Sequence, residues 1–170
     1  MKILKNILKV LAILVLAFFA FAFWYKNTYA MEEVATYEIN DPDLENKVLI
    51  ATQGSKYKNV LVESVIDSLS QSQIYIKVID VSAIENQNVD DWDAIILIHT
   101  WEYGKPPEAV ESFMDGKQDL SKIFSVITSG SGEEKMEGVD AITGASKKED
   151  MESHRSAILQ FLNQNLTPND

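Results

Sequence analysis

Cysteine is absent from the 170 residues. Its absence excludes disulfides, cysteine metal sites, thiol catalysis and a lipid anchor on cysteine, and it leaves the compartment open. Histidine is nearly absent as well. Only His99 and His154 occur, far apart in sequence, so no histidine-rich metal site is expected. Basic residues are scarce beyond the N-terminus. Residues 1–26 hold Lys2, Lys5, Lys9 and Lys26 and no acid, and the rest of the chain sets 11 basic against 26 acidic residues, a net charge of −15. So acidic a domain repels phosphate backbones, which argues against nucleic-acid binding. The charge suits either a solvated surface or a cationic partner. No Ser-His-Asp order, Gly-x-Ser-x-Gly elbow, HExxH or internal repeat is present, which disfavours hydrolases.

Apolar residues make up 46% of the chain, enough for a core beside an extra segment. The longest unbroken apolar run is Val10 to Tyr25. Begun at Ile7, with Lys9 snorkelling, such a helix spans about 28 Å, close to the ~30 Å hydrocarbon core. Phe23, Trp24 and Tyr25 form an interfacial belt, and the preceding lysines put the N-terminus in the cytoplasm and the domain outside. A cleaved signal peptide competes, with "TYA" at 28–30 as the cleavage site. The length of the run and its bulky aromatic end favour a single-pass anchor over residues 1–26. Residues 27–46, with Asp-Pro and scattered acids, read as a linker.

From 47 to 167 strands and helices alternate. "KVLIAT" (47–52), "IYIKVIDV" (74–81), "DAIILIHT" (93–100), "KIFSVITS" (122–129) and "VDAIT" (139–143) read as strands. Leu61, Val65 and Leu69 predict a helix over 58–70, and Pro106-Pro107 open another with Val110, Phe113 and Met114 on one face. A last helix runs from about Met151 to Asn165. Continuously apolar strands imply a parallel sheet buried on both faces, an α/β three-layer sandwich. Ligands bind such sheets beyond the C-terminal ends of the strands. There lie the loops 52–59, 100–106, 129–138 and 144–150.

In element order and loop placement the stretch 47–167 resembles the flavodoxin-like family. The resemblance implies a five-stranded sheet of order 2-1-3-4-5, with FMN between the first and third strands. It assigns the phosphate to "TQGSKYKN", through Thr52, Gly54, Ser55 and Asn59. The family's Ser/Thr-x-Thr-Gly-x-Thr pattern is broken here by Lys56 and Tyr57, and a turn capping a helix is the other reading. "HTWEYGKPP" resembles the aromatic loop, in which Trp101 or Tyr103 stacks on the isoalloxazine and Gly104 allows a tight turn. Covering the sheet edge is the alternative. His99 either donates to the cofactor or packs in the core. "TSGSGEEKMEG" brings the backbone of Ser129, Gly130 and Gly132 to the flavin edge, or is a loop with no ligand. "VDAITGAS" is either a fifth strand with its exit turn at Gly144, or an acceptor resembling the Asp-x-x-Ser/Thr-Gly-Ala-Ser/Thr signature for covalent FMN. In that reading the phosphate is joined to Ser146. The implied function is a membrane-anchored FMN carrier of electrons for a redox partner protein. A flavin-free domain for binding or assembly at the envelope is the alternative. No second nucleotide motif supports a flavin-dependent reductase.

Overall fold

A computed structural model describes residues 2–29, 31–115, 119–136 and 138–166. Ala30 of the "TYA" site, Glu137 of the third loop and Thr167, the expected end of the domain, lie outside the described residues. The chain forms two compact units, divided between Met31 and Glu32. The first is one helix, α1 (Lys2–Tyr29). Its segment Ile3–Trp24 has 22 residues of mean hydropathy 2.6. At 1.5 Å per residue it is about 33 Å long, enough to cross a membrane by length and composition. A signal sequence meets the same criteria.

The second unit is an α/β sandwich. Its strands are β1 (Tyr37–Ile39), β2 (Asn46–Thr52), β3 (Ile74–Asp80), β4 (Ala94–Thr100), β5 (Ile123–Thr128) and β6 (Asp140–Gly144). Its helices are α2 (Lys56–Leu69), α3 (Glu108–Met114) and α4 (Met151–Asn165). The strands lie in the order β1-β3-β2-β4-β5-β6. β2 to β6 are all parallel, so these five have the 2-1-3-4-5 order expected. They are apolar because both faces are covered. On one face Val48, Ile50, Ile96 and Ile98 pack against Leu61 and Val65 of α2 and Ile158 and Phe161 of α4. On the other, Leu49, Ala51, Ile95 and Leu97 pack against Val110 and Phe113 of α3 and Ile84 of a 3-10 turn.

The sheet has six strands rather than five. β1 pairs antiparallel with β3 at the edge, Glu38 opposite Lys77. Three residues, two of them exposed, carry too little periodicity to be read as a strand. Residues of the segment read as a linker, from Glu32 onward, make contacts with the sheet. Glu32 and Gly54 exchange two backbone hydrogen bonds of 3.0 Å. The Val34 N–H donates to Asp80 Oδ2 at 2.9 Å, and Asn40 Nδ2 donates to the Ile74 carbonyl at 2.7 Å. Residues 32–46 are therefore stitched to β2 and β3.

Gly54 is the point of closest approach. A Cβ there would overlap the Glu32 carbonyl oxygen and lie 2.9 Å from its carbon. Backbone cannot swing aside as a side chain can. Gly54→Ala is expected to cost about 1–3 kcal/mol in urea unfolding and to speed amide exchange at Glu32 and Gly54. Unchanged stability and exchange would show that the entering segment is not held there.

Candidate functional site at the C-terminal edge of the sheet

After β2 the chain turns through α2 to β3; after its neighbour β4 it leaves through α3 to β5, on the other side. This divergence makes the switch point at which α/β sheets take ligands. The loop after β2 is held flat across it. The Gln53 N–H donates to the Ile98 carbonyl at 3.2 Å, and Gln53 Oε1 accepts from the Thr100 N–H at 2.7 Å. Ser55 caps α2, its Oγ accepting from the Lys58 N–H.

Lys58 stands on the buried stripe of α2 with Leu61, Val62 and Val65, and it is 1% exposed. Its Nζ donates to Thr100 Oγ1 at 2.7 Å. Thr100 Oγ1 lies 2.8 Å from Thr128 Oγ1, which donates to the His99 carbonyl at 3.2 Å. With that last proton fixed, the chain runs Lys58 to Thr100 to Thr128 to His99. It sets the Lys58 ammonium against the end of β4 at the switch point. Burial pulls the Lys58 amine down to about 8, against the pull of Glu102.

The four residues expected at the phosphate are split. Thr52, Gly54 and Asn59 line a groove of ≈280 Å³ shared with Glu32, Glu33 and Glu63. The Gly54 N–H is committed to Glu32 and the Ser55 hydroxyl to the helix cap. The Lys58 and Asn59 N–H groups in the first turn of α2 are taken too, by the Ser55 hydroxyl and carbonyl.

The aromatic loop is a hairpin. Glu102 and Lys105 pair, with Tyr103 at φ 54° and Gly104 at φ 74° between them, a type I′ turn. Tyr103 pays for its left-handed backbone with no visible contact of its ring, which is fully exposed at the tip. Trp101 is half-buried, and its Nε1–H has no partner. It lines a groove of ≈850 Å³ beside α3 with Met114, Leu120, Met136, Lys135 and Pro106, bordered by Glu108, Glu111 and Asp115. His99 is wholly buried. Burial, with Lys58 nearby, pulls it down to about 4, so it is neutral at pH 7.

In the third loop Ser129 Oγ accepts from the Gly132 N–H at 2.9 Å, and the exposed Gly130 has open space around it. At the end of β6 the exit turn falls two residues later than expected. Gly144 is the buried last residue of the strand, and the left-handed residue is the exposed Ser146, φ 57°. Asp150 Oδ2 accepts from the N–H groups on both sides of it, Ala145 at 3.0 Å and Lys147 at 3.2 Å. Tyr57 Oη and His154 Nδ1 are 2.7 Å apart, and a Cβ on Gly144 would lie 2.7 Å from His154 Nε2. Asp140, at the start of β6, and Ser146, beyond its end, are about 15–20 Å apart along the strand. Lys58, Gln53, Tyr57, His154 and Asp150 were not expected from the sequence. The one signal available was Lys58 at i−3 and i−4 from Leu61 and Val62, on an apolar stripe.

No protein-family model matches the chain, and no curated protein does. Solved structures match it at low identity. A crystal structure of an NADH:FMN oxidoreductase in its apo form is 13% identical, with TM-score 0.50, over 72% of this chain and 91% of that one. An oxidised flavodoxin 2 from Bacillus cereus is 18% identical, with TM-score 0.45, over 69% and 99%. An NADPH-quinone reductase from P. pentosaceus is 14% identical, with TM-score 0.32, over 70% and 79%. Together with the strand order, the first of these identifies the fold of residues 32–166 as flavodoxin-like.

Proposed function

We propose that the domain binds FMN at the C-terminal edge of β2, β4 and β5 and carries electrons while tethered to a membrane by α1. The observation that supports this best is the buried Lys58–Thr100–Thr128 chain at the switch point, beside the aromatic hairpin. A bound flavin would supply the redox chemistry. The chain's own residues bind and orient. Trp101 offers a flat face and an unpartnered N–H, and Tyr103 a second ring on a rigid turn. Lys58 offsets phosphate charge, the part left to loop hydroxyls in the family pattern. The acidic surface suits a basic redox partner.

Covalent FMN on Ser146 belongs to the same proposal. The hydroxyl is exposed and held in one backbone conformation by Asp150. Successive strands are about 4.8 Å apart, so β6 and the Trp101 end of β4 are separated by about 10 Å, within reach of a ribityl chain. The flavin-free reading is favoured by the commitment of the Gly54 N–H to Glu32 and by the glutamates of that groove.

One preparation separates the readings. Full-length protein made in an exporting host with an active flavin transferase is expected to be yellow. A mass increment of FMN that survives denaturation and disappears in Ser146→Ala would support attachment. Colour lost on denaturation would support non-covalent binding. A folded, colourless protein that takes up no added FMN would leave the flavin-free reading.

A further inference from the structure

Residues 32–35 cross the loop after β2. Glu32 and Gly54 exchange two backbone hydrogen bonds of 3.0 Å, and a Cβ on Gly54 would overlap the Glu32 carbonyl oxygen. A loop of small residues before a helix turns its N–H groups toward an oxygen acceptor. At Gly54 that acceptor is Glu32, a backbone oxygen in the place that the family resemblance gives to a phosphate oxygen. The crossing segment is lightly held. Glu32, Glu33, Ala35 and Thr36 are exposed and Val34 is half-buried. The Val34 N–H donates to Asp80 Oδ2 at 2.9 Å, and its side chain packs against the α2 face of the core. A segment with so few buried apolar contacts opens at a far lower free energy than the sheet does. Glu32 and Glu33 also share a groove of ≈280 Å³ with Glu63 of α2. Like charges so placed repel one another, modestly because they face water, and weaken closure. From Tyr37 the chain is paired with β3, so Ala35 and Thr36 are the hinge.

We propose that residues 32–35 are an autoinhibitory strap over the FMN site, competing with the phosphate for the Gly54 N–H. This regulation rests on reading the C-terminal edge as an FMN site. Opening about Ala35 and Thr36 changes the edge in two ways. It frees the Gly54 N–H to donate to the ligand, and it carries two of the three groove carboxylates away. Both changes favour a phosphate dianion. The closed strap does the reverse, filling the donor and lining the groove with negative charge. FMN binds the open form, so its apparent affinity is scaled by the fraction of time the strap is open.

The Glu32→Pro/Val34→Pro double variant removes two N–H donors of the strap, those to the Gly54 carbonyl and to Asp80. Glu32→Gln keeps both donors and matches the double variant in charge. FMN is titrated into each full-length protein in detergent and followed by flavin fluorescence. The double variant should bind about tenfold more tightly than Glu32→Gln, the gain for a strap open about one tenth of the time. A second measurement needs no variant and decides the matter if the double variant fails to fold. In the wild type, saturating FMN should speed amide exchange at Glu32 and Val34, because the bound form holds the strap open. A segment with only a structural role would exchange no faster with FMN bound. Equal FMN affinity of the double variant and Glu32→Gln, or exchange at Glu32 and Val34 unchanged or slowed by FMN, would overturn the strap and leave the FMN reading standing. No FMN binding by the wild type or by either variant would overturn both.

Discussion

Lys58→Met should stabilise the domain by about 3 kcal/mol at pH 7, and the gain should vanish as the pH approaches 10.5. In the folded state burial lowers the amine from 10.5 to about 8. A fall of that size corresponds to about 3 kcal/mol. The sign follows from proton counts. Between pH 8 and 10.5 the unfolded chain holds the Lys58 proton and the folded chain has released it, so stability rises with pH across that window. Below pH 8 the folded protein carries the whole penalty. Methionine fills a similar volume with no charge, and Thr100 keeps its bond to Thr128. Urea unfolding of both proteins from pH 7 to 10 measures the difference. Tyr57, raised to about 12, titrates alike in both. A variant less stable than the wild type at pH 7 would mean that the Lys58 hydrogen bonds outweigh its desolvation. A natural sequence that keeps a destabilising lysine at the switch point is the pattern expected of a functional residue.

His99→Phe should flatten the acid limb of the stability curve. Burial lowers His99 from 6.5 to about 4, so between these values the unfolded chain binds a proton that the folded chain refuses. Stability therefore falls as pH falls through 6.5, by about 2 kcal/mol at pH 5 and about 3 kcal/mol at pH 4. His154 is lowered too, by burial first, and adds to the same limb. The carboxylates with shifts, Asp80 and Asp119, lie below their ordinary 3.8 and act at lower pH. Chemical unfolding at pH 7.5, 6 and 5 should show a steep loss in the wild type and a shallower one in the variant. Parallel slopes would mean that His99 charges freely in the folded state.

The sheet was legible because its physics is written in continuous runs. Val48 to Ala51 and Ala94 to Ile98 are apolar at every position, as strands covered on both faces must be. α4 was legible at both ends, since Ile158, Phe161 and Leu162 keep helical spacing. β1 was not, because its three residues join the sheet through backbone bonds that leave no mark on side-chain pattern. The site was legible only as places. Loops are visible in the sequence, but the reason for each small residue in them is not. The structure shows that Gly54 is small because Glu32 crosses it, and Gly144 because His154 does. The burial of Lys58 is hard to read from sequence because charge on a helix ordinarily means solvent. Its side chain folds back from the first turn of α2 to the ends of β4 and β5, a reach over tertiary distance that sequence spacing does not encode.

The central claim is that the C-terminal edge of the sheet receives FMN. A titration of FMN with full-length protein in detergent, followed by flavin fluorescence, tests it directly. The account predicts saturable quenching at one FMN per chain. Trp101→Ala should weaken binding by about 0.5–1.5 kcal/mol plus the lost buried area, and Lys58→Met should weaken FMN more than riboflavin. Absence of quenching in folded protein carrying no flavin of its own would contradict it, as would equal affinity of the wild type and both variants.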